Sequence, residues 1–274
     1  YAGFAYDSAS STTSGTILGD GSLVLELYYT RKSYEVTLTI GTGIDSVNPS
    51  TTTSYEYEES VTIDATVSSG YSWDYWSGGI DTLDVDENDP EYIFNMPDKD
   101  QEWTGLGKVN PYEVDIYAYH NNGGVTYSQG TTGGSVGFDV NVGESSTSKS
   151  INYGETTSIY ASAESGFTFN GWYTSDDLSG TADKTGSPVT TDSMTTGGLS
   201  YYAKFTANTD TSYKVEHYTE DLNAATYTIV ETDNLTGTTG ASVTESKNTY
   251  AGFAYDSASS TTSGTILGDG SLVL

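Results

Sequence analysis

An internal repeat constrains the fold of this chain more than any other feature of its sequence. Three segments open alike, at Tyr34-Glu35-Val36, Tyr112-Glu113-Val114 and Tyr213-Lys214-Val215. Each begins a run rich in β-branched and aromatic residues, such as YEVTLTI and YEVDIYAYH, which is typical of a β-strand. Because repeats of this length fold as similar structural units, the sequence predicts a series of small β modules.

A second landmark follows in the first two segments. It reads YEESVTIDATVSSGYSWDYW over 57–76 and YGETTSIYASAESGFTFNGW over 153–172. In the first copy Val61, Ile63 and Ala65 alternate with polar residues, which predicts a strand with one buried face.

Each landmark contains a glycine, Gly70 or Gly166, and a tryptophan six residues later, Trp76 or Trp172. Glycine adopts positive φ without a steric penalty, so both glycines predict turns. We expect the two tryptophans to fill the cores of their modules.

A much longer repeat frames the chain. Residues 1–25 and 250–274 are the same string, YAGFAYDSASSTTSGTILGDGSLVL, and the second copy begins 249 residues after the first. This indicates a tandem array of period 249. We expect the copy at 250–274 to pack against 211–249. The copy at 1–25 then needs help from module 34–108, from a neighbouring chain or from a preceding repeat.

These landmarks predict four segments. The first is the back half of a module, 1–33, and two modules follow at 34–108 and 111–207. The last is a module at 211–274 that lacks its final strand residues, because its continuation ELYYTRKS occurs only at 26–33. The predicted fold class is mainly β with minor α, the helical part being a short helix near TGASVTESKNTYAGF, residues 239–253.

Composition limits the function. The chain carries 38 acidic and 9 basic residues, for a net charge of −29. Nucleic acids and anionic membranes bind proteins through basic patches, so we expect neither as a partner. No apolar run approaches the length of a membrane span. The absence of cysteine excludes disulfides and thiolate chemistry, and heavy use of Ser, Thr, Gly, Tyr and Asp indicates an extracellular surface protein.

Several motifs carry a family resemblance. They are the opening Tyr-x-Val strands, Tyr153-Gly154-Glu155, the stretch Gly166–Trp172, Met96-Pro97-Asp98 and Tyr202-Ala203-Lys204-Phe205. On these residues, 34–105 and 112–206 resemble the internalin-type B-repeats, the bacterial repeat domains of Gram-positive surface proteins. The first copy departs from the pattern at Tyr75, where a glycine is expected before the tryptophan.

The last segment is similar to a different repeat. Residues 213–274 joined to 26–33 contain YKVEHYTEDL, TGTTG and DGSLVLELYYT, and are similar to mucin-binding-protein-like repeats. Together the two resemblances imply an elongated string of β-grasp-like modules in a surface stalk or adhesin. Neither family has catalytic residues to carry over.

One segment has the composition of a metal site. Asp84, Asp86, Asn88 and Asp89 have the alternating carboxylate spacing of a calcium loop. The segment lacks the glycine at the sixth position and the glutamate at the twelfth position of a hand-type loop. A solvated turn is the alternative, since Asp and Asn favour turns. Ca²⁺ is the only cofactor that the sequence suggests.

Other candidates for chemistry are weak. Tyr71, Trp73 and Tyr75 suggest an aromatic platform for sugars, but core packing is the stronger interpretation because the matching Phe167 and Phe169 look like core. His120 and His217 are the only histidines. They fall in different modules, each expected on a strand surface or edge, so we expect no enzyme.

The sequence therefore predicts an acidic structural spacer in a tandem-repeat surface protein. Its predicted location is extracellular, on the cell surface or cell wall, with the anchor outside this chain. Adjacent copies of the same repeat are the expected partners, with host or neighbouring-cell glycan or protein as a further possibility. Two alternatives stay open: a glycan- or mucin-binding adhesive repeat, and a filament that assembles by strand exchange between repeats.

Overall fold

The computed structural model describes residues 1–79, 89–222 and 226–274. All regular secondary structure in these ranges is β-strand, which confirms the mainly β class. The chain divides into two units, Tyr1–Asn110 and Pro111–Leu274. The four-segment division stays a prediction.

The described part of the first unit contains the strands β1 to β9. They are β1 (Phe4–Asp7), β2 (Tyr28–Arg31), β3 (Ser33–Ile40), β4 (Ile44–Asn48), β5 (Thr53–Glu56), β6 (Ser60–Val67), β7 (Tyr71–Gly78), β8 (Tyr92–Asn95) and β9 (Gln101–Val109).

Two sheets build the centre of the first unit. One has the strand order β5-β3-β9-β7 and the other the order β4-β6-β8. The opening strand β3 pairs with the closing strand β9 in parallel, with Val36 opposite Gln101. Because β9 also pairs antiparallel with β7, the closing strand lies in the middle of its sheet.

The alternation on β6 produces the buried face that the sequence predicts. Val61, Ile63 and Ala65 are buried, and they pack in one cluster with Trp76 and Trp103. Gly70, in the turn before β7, has a φ of 84°, a backbone conformation that residues other than glycine rarely adopt.

The described part of the second unit contains the strands β10 to β21. They are β10 (Pro111–His120), β11 (Ser128–Gln129), β12 (Gly134–Gly137), β13 (Ser146–Asn152), β14 (Ser158–Ala163), β15 (Phe167–Tyr173), β16 (Val189–Thr190), β17 (Leu199–Ala207), β18 (Thr211–Glu220), β19 (Tyr227–Gly237), β20 (Ser242–Thr244) and β21 (Ser263–Thr265).

The second unit repeats the pattern of the first over 111–207. Its opening strand β10 pairs in parallel with the closing strand β17, which pairs antiparallel with β15. The pairing register shifts between Phe169 and Gly171 in β15 and between Trp73 and Tyr75 in β7. Both modules therefore carry a β-bulge just before the core tryptophan.

Residues 111–207 enclose a core of their own. Trp172 and Phe205 are fully buried, and the cluster also contains Val114, Ile159 and Tyr201. The prediction that Trp76 and Trp172 fill their cores is confirmed.

Residues 211–274 have a small core of their own. Tyr213, Val215 and Ile266 are its buried members. The helix expected over 239–253 is wrong: the segment contains β20, which pairs with β21. Val243 of β20 packs on this core, and a short strand places that side chain there better than a helix of Ser, Thr and Asn, which have low helix propensity.

Candidate functional site

The predicted calcium segment lies mostly outside the described residues, which exclude Asp84, Asp86 and Asn88. Asp89 is described, and its Oδ1 accepts a hydrogen bond from the Glu91 backbone N–H at 2.9 Å. This is the local bond of an Asx turn. Within 1–79, 89–222 and 226–274, no three His, Asp or Glu side chains lie close enough together to hold a metal ion.

The candidate aromatic platform does not form one exposed surface. Trp73 packs against the core of its module, with its ring 5.2 Å from that of Trp76 and nearly edge-on to it. Tyr75 is 44 % exposed. The core interpretation therefore holds for Trp73, and the sequence departure at Tyr75 falls on the surface.

The two histidines lie on different strands of the second unit. His120 ends β10 and is buried, whereas the sequence suggested a surface or edge position. Its ring lies edge-on to Phe167, and burial lowers the pKa of its imidazole. His217, on β18, lies 3.2 Å from the Asp233 carboxylate through its Nε2 atom. Nothing brings the two histidines together.

Both modules fasten the end of the closing strand in the same way. Asn110 follows β9; its backbone N–H donates to the Gly70 carbonyl at 2.9 Å, and its Oδ1 accepts from the Ser72 hydroxyl at 2.6 Å. Asn208 follows β17 and does the same with the Gly166 carbonyl at 2.8 Å and the Thr168 hydroxyl at 2.6 Å.

In the second unit this asparagine also joins two modules. Only residues 208–210 separate β17 from β18. The Asn208 carbonyl accepts from the Thr239 backbone N–H at 2.9 Å, and the hydroxyls of Thr211 and Thr239 lie 2.6 Å apart. Both threonines are buried. The connection is therefore a packed, hydrogen-bonded junction.

A close glycine contact completes this junction. A Cβ atom added to Gly268 would lie 1.9 Å from the Ser165 carbonyl oxygen, and one added to Gly166 would lie 2.5 Å from the Gly268 Cα. No side chain fits between these two backbone segments. The turn that precedes β15 thus contacts the 266–270 segment directly, backbone on backbone.

A buried asparagine holds the neighbouring loop. Asn121 is 6 % exposed. Its Oδ1 accepts from the Ala207 backbone N–H at 2.9 Å, and its Nδ2 donates to the Gly124 carbonyl at 2.7 Å. One side chain therefore satisfies the last N–H of β17 and the loop after β10. We call Asn121, Gly166, Asn208, Thr239 and Gly268 the junction residues.

Comparison with known families assigns two of the modules to a family. The profile of the divergent InlB B-repeat domain matches residues 34–105 and 124–209, together more than half of the chain. The chain belongs to this B-repeat family. Its two B-repeats are repeat domains of the surface-protein type, and this confirms the resemblance seen over 34–105 and 112–206.

The chain is also similar to a solved structure, described as the Bacillus anthracis TIE protein. The identity is 8 %, the TM-score is 0.42, and the match covers 91 % of this chain. The match spans 53 % of that chain, about half of its length. No curated protein sequence matches the chain.

Apart from Gly166, which the sequence predicted as a turn, the sequence did not single out the junction residues. A signal was present, because an asparagine follows the closing strand of both B-repeats, in GKVNP and in TANTDTS. These stretches look like ordinary linkers. Their role depends on backbone groups of Gly70 and Gly166, which are distant in sequence.

Proposed function

We propose that this chain is a spacer segment of a long tandem-repeat surface protein. In this role each module adds length to the protein, and the junctions between modules keep the modules from folding back on one another. The observation that carries the proposal is the junction between 111–207 and 211–274, where Asn208, Thr211 and Thr239 tie two modules across three connecting residues. A spacer of this kind acts mechanically and uses no catalytic residue.

The charge of the chain supports the same role. Its net charge is −29, and like charges repel over a Debye length of about 8 Å at physiological salt. This repulsion opposes collapse of one module on another and sideways association of chains. The natural setting is an extracellular surface or cell wall, with adjacent copies of the repeat as neighbours. Within the described residues, no helix is long and apolar enough to cross a membrane.

Excision of one repeat tests the spacer function. A protein with one 249-residue period and a protein with two are compared by electron microscopy and circular dichroism. The expected result is that both are folded β proteins and that the longer one has the greater end-to-end length. Loss of the β signal in the shorter protein, or two particles of equal length, would contradict the proposal.

Glycan binding is the second candidate, and one feature of the second unit favours it. On β10 and β17, the rings of Tyr117 and Tyr202 stack at 5.1 Å with 13° between their planes, and Tyr119 lies edge-on to Tyr202. All three side chains are half-buried. Stacked aromatic faces of this kind offer apolar area to the C–H face of a sugar.

A glycan array separates the two candidates. The spacer function predicts no saturable binding by the wild-type chain. Saturable binding that is lost in Tyr117→Ala and kept in Tyr75→Ala, the exposed tyrosine of the other B-repeat, would establish the glycan-binding function instead.

A further inference from the structure

The repeated 25-residue string adopts two different structures. In the copy at 250–274, Gly264 and Thr265 lie in β21, and Ile266 is 1 % exposed. In the copy at 1–25, the matching residue Ile17 is 85 % exposed. Because the two strings are identical, the difference comes from what surrounds them.

In the second copy, the apolar residues of the string pack against strand β18. Ile266 packs in one cluster with Tyr213 and Val215 of β18, and Leu272 and Leu274 pack against the same cluster. The backbone pairs as well. The Lys214 N–H donates to the Leu272 carbonyl and the Leu274 N–H donates to the Lys214 carbonyl, both at 2.9 Å.

The first copy presents the same apolar residues without this cover. Ile17 and Leu25 match Ile266 and Leu274, and Leu25 is 48 % exposed. Leu25 and Leu27 also line an apolar groove of about 510 Å³ together with Tyr6, Thr13 and Tyr29.

The front part of the string shows the opposite preference. In the first copy, β1 pairs with β2, and the Phe4 ring lies edge-on to Tyr57 at 5.4 Å. In the second copy the matching Phe253 is 52 % exposed. Each copy therefore forms one half of the contacts that the string is capable of making.

We propose that residues 14–30 of one copy of this chain dock on residues 211–245 of a second copy. The docked segment takes the place that 263–274 occupies in the structure, with the same side chains in the same contacts. The partner is thus a second, separate molecule of this chain. The inference does not depend on the spacer function.

The docked segment also brings strand β2 to the edge of β18. Val273 pairs in parallel with Lys214, so Val24 takes the position opposite Lys214 in the docked segment. In the same register Tyr28 and Thr30 of β2 lie opposite Tyr218 and Glu220. Strand β18 continues to Glu220, whereas the pairing with 272–274 reaches Glu216. Strand β2 adds main-chain bonds along this further edge.

An Ile→Asp substitution in each copy of the string tests the proposal, because the two substitutions are expected to change self-association in opposite directions. Ile266→Asp in the full chain loosens the chain's own cover of 211–245 and is expected to strengthen concentration-dependent self-association at least tenfold in sedimentation velocity. The same chain with Ile17→Asp added is expected to be monomeric. Ile17 is exposed, so its replacement leaves the fold intact.

Two outcomes overturn the proposal. One is an Ile266→Asp chain that stays monomeric at every concentration. The other is self-association that persists equally when Ile17→Asp is added, since aggregation of a merely unfolded module does not depend on Ile17.

A cross-link tests the register directly, because the chain has no cysteine of its own. A Val24→Cys chain is mixed under oxidising conditions with a chain carrying Lys214→Cys and Ile266→Asp. The expected product is a disulfide between the two chains, since neighbouring strands lie within disulfide reach. Ser10→Cys, an exposed position of the same string that lies outside residues 14–30, is the matched control. Equal cross-linking from Ser10→Cys overturns the register.

Discussion

Single asparagine side chains hold the second B-repeat together where its strands end. Asn121 Oδ1 accepts a buried hydrogen bond from the Ala207 backbone N–H at 2.9 Å. Removing one partner of a buried hydrogen bond leaves the other partner desolvated and unpaired. The free-energy cost of this exceeds the net stabilisation by the bond.

Asn121→Ala is therefore expected to lower the free energy of unfolding by about 1–3 kcal/mol. Asn122→Ala changes the neighbouring, exposed asparagine and is expected to have an effect within about 0.5 kcal/mol. Urea unfolding followed by tryptophan fluorescence measures both. Equal losses in the two variants would contradict the role assigned to Asn121.

A buried tyrosine predicts a loss of stability at high pH. The Tyr201 hydroxyl donates to Asp192 Oδ2 at 2.8 Å, and burial raises the pKa of Tyr201 from 10.0 to about 12. The folded state holds the proton more tightly than the unfolded state, so this contribution is complete below pH 10. It is lost as the pH rises from about 10 to 12.

The loss amounts to about 1–3 kcal/mol, given 1.36 kcal/mol for each unit of pKa difference. Urea unfolding midpoints between pH 9 and pH 11.5 measure it. Tyr201→Phe is the control, because it is less stable at neutral pH by about 1 kcal/mol for the lost hydrogen bond but has the shallower pH dependence. An identical alkaline slope in both proteins would contradict the assignment to Tyr201.

At the scale of elements, the local sequence pattern predicts which face of a strand is buried, but it does not predict which distant strands pair. The alternation Val61, Ile63, Ala65 is a local property of the chain, and it predicted the buried face of β6 correctly. The parallel pairing of β3 with β9 joins segments more than sixty residues apart. No local pattern encodes that register, so the sequence could not predict it.

The error over 239–253 has the same origin. Val243 is the only apolar anchor that the small core takes from β20, and a single apolar residue in three carries no period. The partner strand β21 decides the conformation, and it lies within the repeated string whose other copy has no such strand.

The junction elements give a prediction with an internal control. Gly268→Ala places a Cβ against the Ser165 carbonyl, and overpacking of this kind is expected to destabilise by about 1–3 kcal/mol. Gly19→Ala changes the identical position of the other string copy, where no atom lies within 4 Å of the added Cβ.

Gly19→Ala is accordingly expected to leave stability unchanged within about 0.5 kcal/mol. Thermal unfolding by differential scanning calorimetry compares the two variants. Since the local sequence is the same, a similar loss in both would show that the cost is intrinsic to the glycine and has no connection with the junction.

At the scale of the whole molecule, the sequence predicted the repeats and their family but missed how they join. The linker TANTDTS contains Asn208, the asparagine of the junction between 111–207 and 211–274. Its composition is that of any polar connector, because the partners of Asn208, in Gly166, Thr168 and Thr239, are distant in sequence. The function of a spacer depends on these joints as much as on the modules.

A spacer requires a rigid junction between 111–207 and 211–274. Spin labels on Ser150→Cys and Thr232→Cys, both exposed, report the distance between the two modules by pulsed electron paramagnetic resonance. The full chain is expected to give one narrow distance distribution, which Gly268→Ala broadens. A broad distribution in the otherwise wild-type chain would show that the modules move freely, and it would contradict the account.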